Sequence, residues 1–450
     1  MFKIAFRNVL RNGRRSLMTA STIAVGATAL ILLGEYNGLA RVGMETGIVQ
    51  AAGHLSVFRK GYFEFGSARP MAYSISNYRA LIKLIENDPE MKPMLVVVTP
   101  RVALGGIAGN AKLDKSKTFF GSGFVPSDQR KMNEWNEYRL GDGGESSQPA
   151  HRLMSDNDVD HGVVGIGLAR MLGLCAPLKI ADCPAEPEPK EKSGSDEPAP
   201  AGEKAPRLDL LSGAGGAPNI VAFYVNEARG QGARAMDDMY IGMNLKLAQQ
   251  LLFGGGEHKV SSIVVQLKRS EDIGRARARL NTLFAEHKLA LEARDFKELM
   301  PSFGQILGYF QAMFAFLGLI MGIIVVFTAA NTMGMSVIER TNEIGTARAM
   351  GVRRSGIRRQ FLLEGAILGV FGATAGILLS ALLSYWINNA GITYTPPSNA
   401  QPVPLMLLTH GNGSLLTGVW LALVIVATIA SIIPANRAAR MKVVDALRHV

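Results

Sequence analysis

Motifs with recognisable chemistry are sparse in this sequence, but a compact polar cluster pinned between apolar stretches runs from Glu339 to Arg359. Glu339, Arg340, Glu343, Arg348, Arg353, Arg354, Arg358 and Arg359 are interleaved there with Ile344, Ala347 and Met350, which recur at helical spacing. The pattern predicts a short amphipathic helix with Ile344, Ala347 and Met350 on one face and Arg348 and the other charges elsewhere. Such a helix is suited to pushing on, or being pushed by, a soluble partner. Catalytic constellations find little support. The seven histidines are scattered with no H-x-x-H or H-E-x-x-H spacing, so His54 is expected to be structural and no metal is expected. Val163-Val164-Gly165-Ile166-Gly167 suggests a dinucleotide loop, but Arg170 stands where the third glycine of G-x-G-x-x-G belongs. Neither the phosphate-cradling G-x-x-x-x-G-K-S/T nor the nucleophile elbow G-x-S-x-G occurs in the 450 residues. The expectation is a non-catalytic chain that binds no cofactor.

The elements flanking the cluster are apolar. A hydrophobic content of 48% and a positive mean hydropathy point to a membrane, and 450 residues exceed one compact domain. Leu17–Ala40, Phe303–Ala330, Phe361–Ile387 and Leu415–Ile433 each reach the length of about 20 apolar residues needed to span. The net charge of +11 could mark a nucleic-acid binder, but its placement follows topology. Lys3, Arg7, Arg11, Arg14 and Arg15 precede the first span, the arginines of the polar cluster separate the second from the third, and Arg437, Arg440, Lys442 and Arg448 follow the fourth. By the positive-inside rule both termini and the polar cluster are cytoplasmic, residues 41–302 lie outside, and nucleic acid is not a partner.

Residues 1–16 place Phe2, Phe6, Val9 and Leu10 on one helical side and Lys3, Arg7, Arg11 and Arg14 on another, as in a helix lying flat on an anionic surface. A signal peptide is the alternative, but Ala27-Thr28-Ala29 sits inside an apolar run continuing through Leu33, so an uncleaved span is expected. Glu35 is expected at the outer interface. Glu364, opening the third span, is expected to pair with Arg358 or Arg359 at the surface. Gly365, Gly369, Gly372 and Gly376 give that span a small-residue face, expected to pack between two copies.

The outer segment mixes patterns. Tyr78–Asn87, Asn244–Leu252 and Glu271–Leu291 read as helices, while Leu95–Thr99, Asn219–Val225 and Val260–Leu267 read as strands, with Arg101–Ile107 resuming after a break at Pro100. Strands alternating with helices in two portions suggest an α+β domain. Glu186–Pro206 is Pro/Glu/Lys/Ser/Gly-rich and is expected to be disordered. Cys175 and Cys183, the only cysteines, are expected to form a disulfide contributing about 2–3 kcal/mol.

The string Glu339-Arg340-x-x-Glu343-Ile344-Gly345-x-x-Arg348-Ala349-x-Gly351 resembles the signature of the MacB/FtsX/LolC-LolE superfamily of ABC transporter permeases, the type VII ABC transporters. The ending Pro434-Ala435-x-Arg437-Ala438-Ala439-Arg440 through Asp445-Ala446-Leu447-Arg448 is similar to the family's ending, with Val443 where proline is common. Gly53-His54-Leu55-Ser56-Val57 and the turn Gly121-Ser122-Gly123-Phe124-Val125-Pro126 resemble features of the lipoprotein-sorting LolC/LolE branch. Gly162–Leu174 corresponds to a strand-to-helix turn of the family, although Cys175-Ala176-Pro177-Leu178 replaces the usual Gly-Asp and strand.

The resemblance implies a membrane α-helical fold of four transmembrane helices, with a large periplasmic α+β domain inserted between helices 1 and 2. It implies a cytoplasmic amphipathic helix at 1–16, helices at 17–40, 303–335, 361–387 and 415–434, a periplasmic domain at 41–302, a coupling-helix loop at 336–359, a periplasmic loop at 388–414 and a cytoplasmic tail at 435–450. Glu339, Arg340, Glu343, Ile344, Gly345, Arg348, Ala349, Met350 and Gly351 would then couple to a separate ABC ATPase present in two copies, which holds ATP and Mg. A second permease copy or paralogue, and a periplasmic lipoprotein carrier or adaptor, complete the implied assembly in the bacterial inner membrane. The implied function is mechanotransmission that extracts lipoproteins, lipids or other amphiphiles. The alternatives are MacB-like export of peptides or drugs in a tripartite assembly and FtsX-like signalling to a periplasmic hydrolase. A second span continuing as helix to Arg340, about 38 residues or roughly 57 Å, would be the transmitting rod.

Overall fold

The computed structural model describes residues 2–66, 72–140, 154–180, 183, 205–212, 218–231, 234–254, 258–395, 402–408 and 412–443. The expected disordered stretch lies outside these residues except for its last two positions, as do residues 444–450 of the tail.

In chain order, α1 (Phe2–Arg11) and α2 (Gly13–Ala52) lead into β1 (Leu55–Arg59), α3 (Tyr78–Asn87), β2 (Leu95–Asn110), β3 (Lys115–Phe124) and α4 (Pro126–Asn133). Next come β4 (His161–Gly165), α5 (Ile166–Met171), α6 (Cys175–Leu178), β5 (Arg207–Ser212), β6 (Asn219–Arg229), α7 (Arg234–Asp237) and β7 (Tyr240–Asn244). Then follow α8 (Leu245–Phe253), β8 (Ser262–Leu267), α9 (Ile273–Glu286), β9 (Leu291–Asp295), α10 (Phe296–Leu299) and α11 (Pro301–Glu339). The chain closes with α12 (Thr341–Ala349), α13 (Arg354–Asn389), the short pair β10 (Thr393–Tyr394) and β11 (Val403–Pro404), α14 (Gly413–Ala430) and α15 (Ile432–Arg440). Two compact units result. One comprises residues 1–42, 304–392 and 405–450, the other residues 43–303 and 393–404.

Among the described residues four helices are long and apolar enough to cross a membrane, namely α2, α11, α13 and the α14–α15 segment. The first is longer than its apolar run, extending from Gly13 to Ala52. The glycine face of α13 is used within the chain, not between copies as expected. A Cβ on Gly365 would meet Ser431 Oγ at 2.0 Å, and one on Gly369 would meet Val424 Cα at 3.0 Å. On Gly372 it would strike Ile23 and on Gly376 Ala27 at 2.4 Å, so α13 lies against α14 through one glycine pair and against α2 through the other. Glu35, expected simply to sit at the outer interface, is instead packed inside the bundle, only 4% exposed, and accepts a bond from Ser384 Oγ of α13 at 2.5 Å. A carboxylate on this apolar helix is held by a partner because leaving it unbonded in a low-dielectric setting is costly.

The second unit is the inserted α+β domain. The first and last strands of its 43–303 segment are neighbours, β1 pairing antiparallel with β9 (Leu55 opposite Asp295) and with β8. Strand β2 runs unbroken through Pro100, where the sequence suggests an interruption. Its first part, Leu95–Arg101, pairs with β8, and its second part pairs with β3 and β5. Proline offers no N–H to a ladder, so Pro100 is tolerated where the strand passes from one set of partners to the other. Beyond it the pairings β2–β3, β3–β7, β7–β4, β4–β6, β6–β5 and β5–β2 close on themselves, forming a six-stranded ring. The core runs through both parts, from Leu55, Val57, Ile263 and Val265 to Val164, Phe223, Ile241 and Met243.

Helix α9 stops at Glu286, short of the expected Leu291, because Lys288 adopts a left-handed φ of 53° and Leu291 opens β9. The Gly165/Gly167 pair has a packing reason, since a Cβ on Gly165 would lie 2.1 Å from Asp237 O. Cys175 and Cys183 are bonded, with Cα atoms 6.2 Å apart. His54 is fully buried. Its Nδ1 accepts from the Leu267 amide (3.0 Å), which leaves Nε2–H to donate to Ser270 Oγ (3.2 Å). Burial pulls its pKa down to about 4, so the ring is neutral. No three His, Cys, Asp or Glu side chains converge as a metal site among the described residues.

Candidate coupling site

The polar cluster forms a helix–turn–helix corner. Helix α11 ends at Glu339, Arg340 leaves helical geometry (φ −107°, ψ 18°), and α12 starts at once with Thr341. The Thr341 hydroxyl donates back to Ile338 O (2.8 Å), taking up a carbonyl that the end of α11 leaves free. Glu343 stands in the first turn of α12 and Arg348 in the last, the order that complements a helix dipole. Termination is a Schellman motif. The Gly351 amide donates to Arg348 O (3.1 Å) and the Val352 amide to Ala347 O (3.0 Å), with Gly351 at φ 92°. A Cβ there would meet nothing within 4 Å, so backbone conformation alone demands glycine. Arg348 Nη1 adds a bond to Val352 O at 3.3 Å, tying down the same turn.

Ile344 anchors α12. It is 5% exposed in a cluster with Met333, Val337, Ile357, Phe361, Ala435 and Ala438, with Ala347 packed at the edge. Gly345 is buried beside it. Met350 departs from the predicted face and is 75% exposed, because α12 ends at Ala349 and the Schellman turn carries Met350 away. Ala349 is exposed as well.

Arg340 turns inward. It is 4% exposed and its Nη1 lies 3.1 Å from Glu364 Oε1, with Glu364 2% exposed. Arg358 and Arg359, the expected partners of Glu364, are instead exposed. They precede Glu364 by six and five positions on α13, a spacing that faces the wrong way around a helix, where three or four would be needed. Helix α1 completes the node. Asn8 Nδ2 donates to Glu364 Oε1 (2.6 Å), and Arg340 Nη2 donates to Asn8 O (3.1 Å). Arg11 pairs with Glu343 and Arg15 with Glu339. These outer pairs are about half exposed and contribute little stability individually, whereas the inner pair is sealed. A cavity of about 20 Å³, the size of one water, is lined in part by Asn8, Asn12, Ser336 and Arg340.

Of the nine predicted coupling residues, Arg340, Ile344 and Gly345 build the corner from inside and Arg348 and Gly351 shape its end. Glu339, Glu343, Ala349 and Met350 present outward. Sequence reasoning missed Asn8, Arg11 and Arg15, although their spacing of three and four residues on one helical side was a readable signal. It assigned Arg11 to a lipid surface instead.

Residues 314–443 match the family model described as FtsX-like permease C-terminal, a span covering most of α11 and all of α12–α15. The chain is 36% identical over 148 residues to the ABC transporter permease YtrF of Bacillus subtilis, covering 30% of this chain and 31% of that protein. It is 30% identical over 203 residues to the macrolide export ATP-binding/permease protein MacB of Escherichia coli O157:H7, covering 43% of this chain and 28% of that protein. The chain thus spans about a third or less of these relatives' length. Among solved structures, the periplasmic region of MacB from Actinobacillus actinomycetemcomitans is similar at 12% identity, with a TM-score of 0.30 over 56% of this chain and 94% of that one.

Proposed function

We propose that this protein, whose residues 314–443 match the model of the FtsX-like permease C-terminal region, is a permease subunit of an ABC transporter driven by a separate ATPase. Two ATPase copies, holding ATP and Mg, dock on α12 and its flanks. The carrying observation is the division of labour within α12. Ile344 and Gly345 fix the helix to its own bundle, while Glu343, Ala349 and Met350 remain outside. A soluble partner can grip the exposed residues and move the helix as a unit with α11 and α13.

In this reading the polar corner and both termini face the cytoplasm of a bacterial inner membrane, and the inserted domain is periplasmic. The domain handles an amphiphile, either a lipoprotein or a lipid drawn from the membrane. A second permease copy covers α11, the least buried of the four membrane helices. Export in the manner of MacB is the second reading, favoured by the matched stretch of MacB.

Co-purification from mild detergent tests the proposal. An ATPase should accompany the wild-type chain, and Met350→Glu should release it while leaving membrane insertion intact. Retention of the ATPase by Met350→Glu together with Gly345→Pro would remove α12 as the docking element. A lipoprotein or acylated ligand in the complex supports extraction, and an outer-membrane channel in its place supports export.

A further inference from the structure

The last ten residues of α2, Gly43–Ala52, belong to the inserted unit, and their helix end is held in an unusual way. A helix leaves its final four carbonyls without intrahelical donors. Here three of the four receive side chains from separate elements. Gln266 Nε2 of β8 donates to Val49 O (3.3 Å), Gln129 Nε2 of α4 to Gln50 O (2.8 Å), and Arg101 Nη1 of β2 to Ala51 O. The donors are themselves fixed. Arg101 Nη2 donates to Gln129 Oε1 (2.8 Å), and Gln266 also donates to Met132 O (3.0 Å). The guanidinium adds its charge at the negative end of the helix dipole.

Backbone geometry closes the same end. The Gly53 amide donates to Val49 O (2.9 Å) with Gly53 at φ 75°, and a Cβ there would strike Val264 Cγ1 at 2.4 Å. The next amide, His54, already belongs to the sheet through Val265 O (3.0 Å). One turn earlier, Tyr138 OH donates to Glu45 Oε1 (2.9 Å). Burial, with Glu45 close by, pushes this phenol up to about 12, so it stays a donor throughout the physiological range.

The other connection is built differently. Helix α10 has four residues, Met300 breaks it (φ −123°, ψ 75°), and α11 restarts at Pro301. Phe303 is held by an edge-on ring contact with Phe296 at 5.5 Å.

We infer that the end of α2 is a fixed joint of the inserted domain, with Arg101, Gln129 and Gln266 as positioning residues. Motion of α2 is then imposed on the domain. The inference rests on the reading of an ATPase-driven permease for its consequence, not for its geometry.

The test uses the full chain in lipid nanodiscs. Hydrogen exchange of the segment Val49–Leu55 should rise at least tenfold in Arg101→Ala and in Gln266→Leu, with sheet segments such as Ile241–Met243 unchanged. Arg101→Lys, which keeps a cationic donor, should restore it to within twofold. With the co-purified ATPase, a spin label at exposed Ile220 should respond to ATP in the wild type. In Arg101→Ala that response should fall at least fivefold while ATP hydrolysis stays within twofold. Unchanged exchange at Val49–Leu55, or raised exchange with an undiminished label response, overturns the fixed joint. A wild-type label that ignores ATP defeats the ATPase-driven reading instead, and the exchange comparison still decides the joint.

Discussion

Replacing Glu364 with leucine while Arg340 stays in place strands a guanidinium that is 4% exposed. Arg340 loses its carboxylate at 3.1 Å, and Asn8 Nδ2 loses its acceptor at 2.6 Å. Breaking a sealed ion pair from one side costs about 3–5 kcal/mol, because the remaining charge has no compensation. Removing the charge from the other side with Arg340→Met should cost about the same. The double variant should lie within ~1 kcal/mol of the wild type, since apolar residues of similar volume replace a pair whose desolvation nearly cancels its attraction. Equilibrium unfolding in detergent, followed by tryptophan fluorescence, yields all four corners of this cycle. The expected non-additivity far exceeds the ~0.5 kcal/mol scatter of independent sites. Single variants costing under ~1 kcal/mol, or a double variant costing the sum of the two, would refute the buried node.

Other predictions concern turns, titration and the cross-link. Gly351→Val forces a branched side chain into a left-handed turn and should cost about 1–2 kcal/mol, lowering ATPase stimulation in the complex without blocking insertion. The His54 pKa is lowered to about 4 on folding, so the unfolded chain takes up a proton first as pH falls. Stability should therefore be constant above about 6.5 and decline by roughly 3 kcal/mol down to pH 4. His54→Phe should flatten that slope in urea unfolding at stepped pH. Asp88, 4% exposed, accepts from Arg279 Nη2 at 2.6 Å and from the Met91 amide at 2.9 Å, and the guanidinium holds its carboxyl below the usual range. Asp88→Ala should cost about 3 kcal/mol by thermal unfolding. The native contribution is lost only as pH falls through that depressed value. Cys175→Ser/Cys183→Ser opens a short loop and should cost about 2.5 kcal/mol, read from the same unfolding curves.

The membrane helices were legible because apolar length is a strong one-dimensional signal, and the short helix after α11 because its residue types and spacing lie in a single stretch. What escaped is long-range. Glu364 could be seen as a carboxylate within an apolar span, but its partners Arg340 and Asn8 are 24 and 356 positions away. The glycines of α13 announced close packing without saying against what, and the answer was α14 and α2. Pro100 read as a break because proline weakens a strand locally, whereas the exchange of partners around β2 accommodates it. Met350 fits the helical period of Ile344, but Gly351 ends the helix first, a conflict that the glycine itself advertised.

The pairing of β1 with β9 also sets a timetable. Both neighbours of β1, the strands β8 and β9, begin more than 200 residues after it in the chain, and Leu55 meets Asp295 across 240 positions. At synthesis rates of about 5–20 residues per second, roughly 12–48 s separate the emergence of the two. Leu-Ser-Val-Phe-Arg has both edges open until β8 is made and its β9 edge open through the whole interval, an exposed template for pairing with another chain. The β1 edge that β9 covers cannot be closed until the chain has been made to Asp295, immediately ahead of α11.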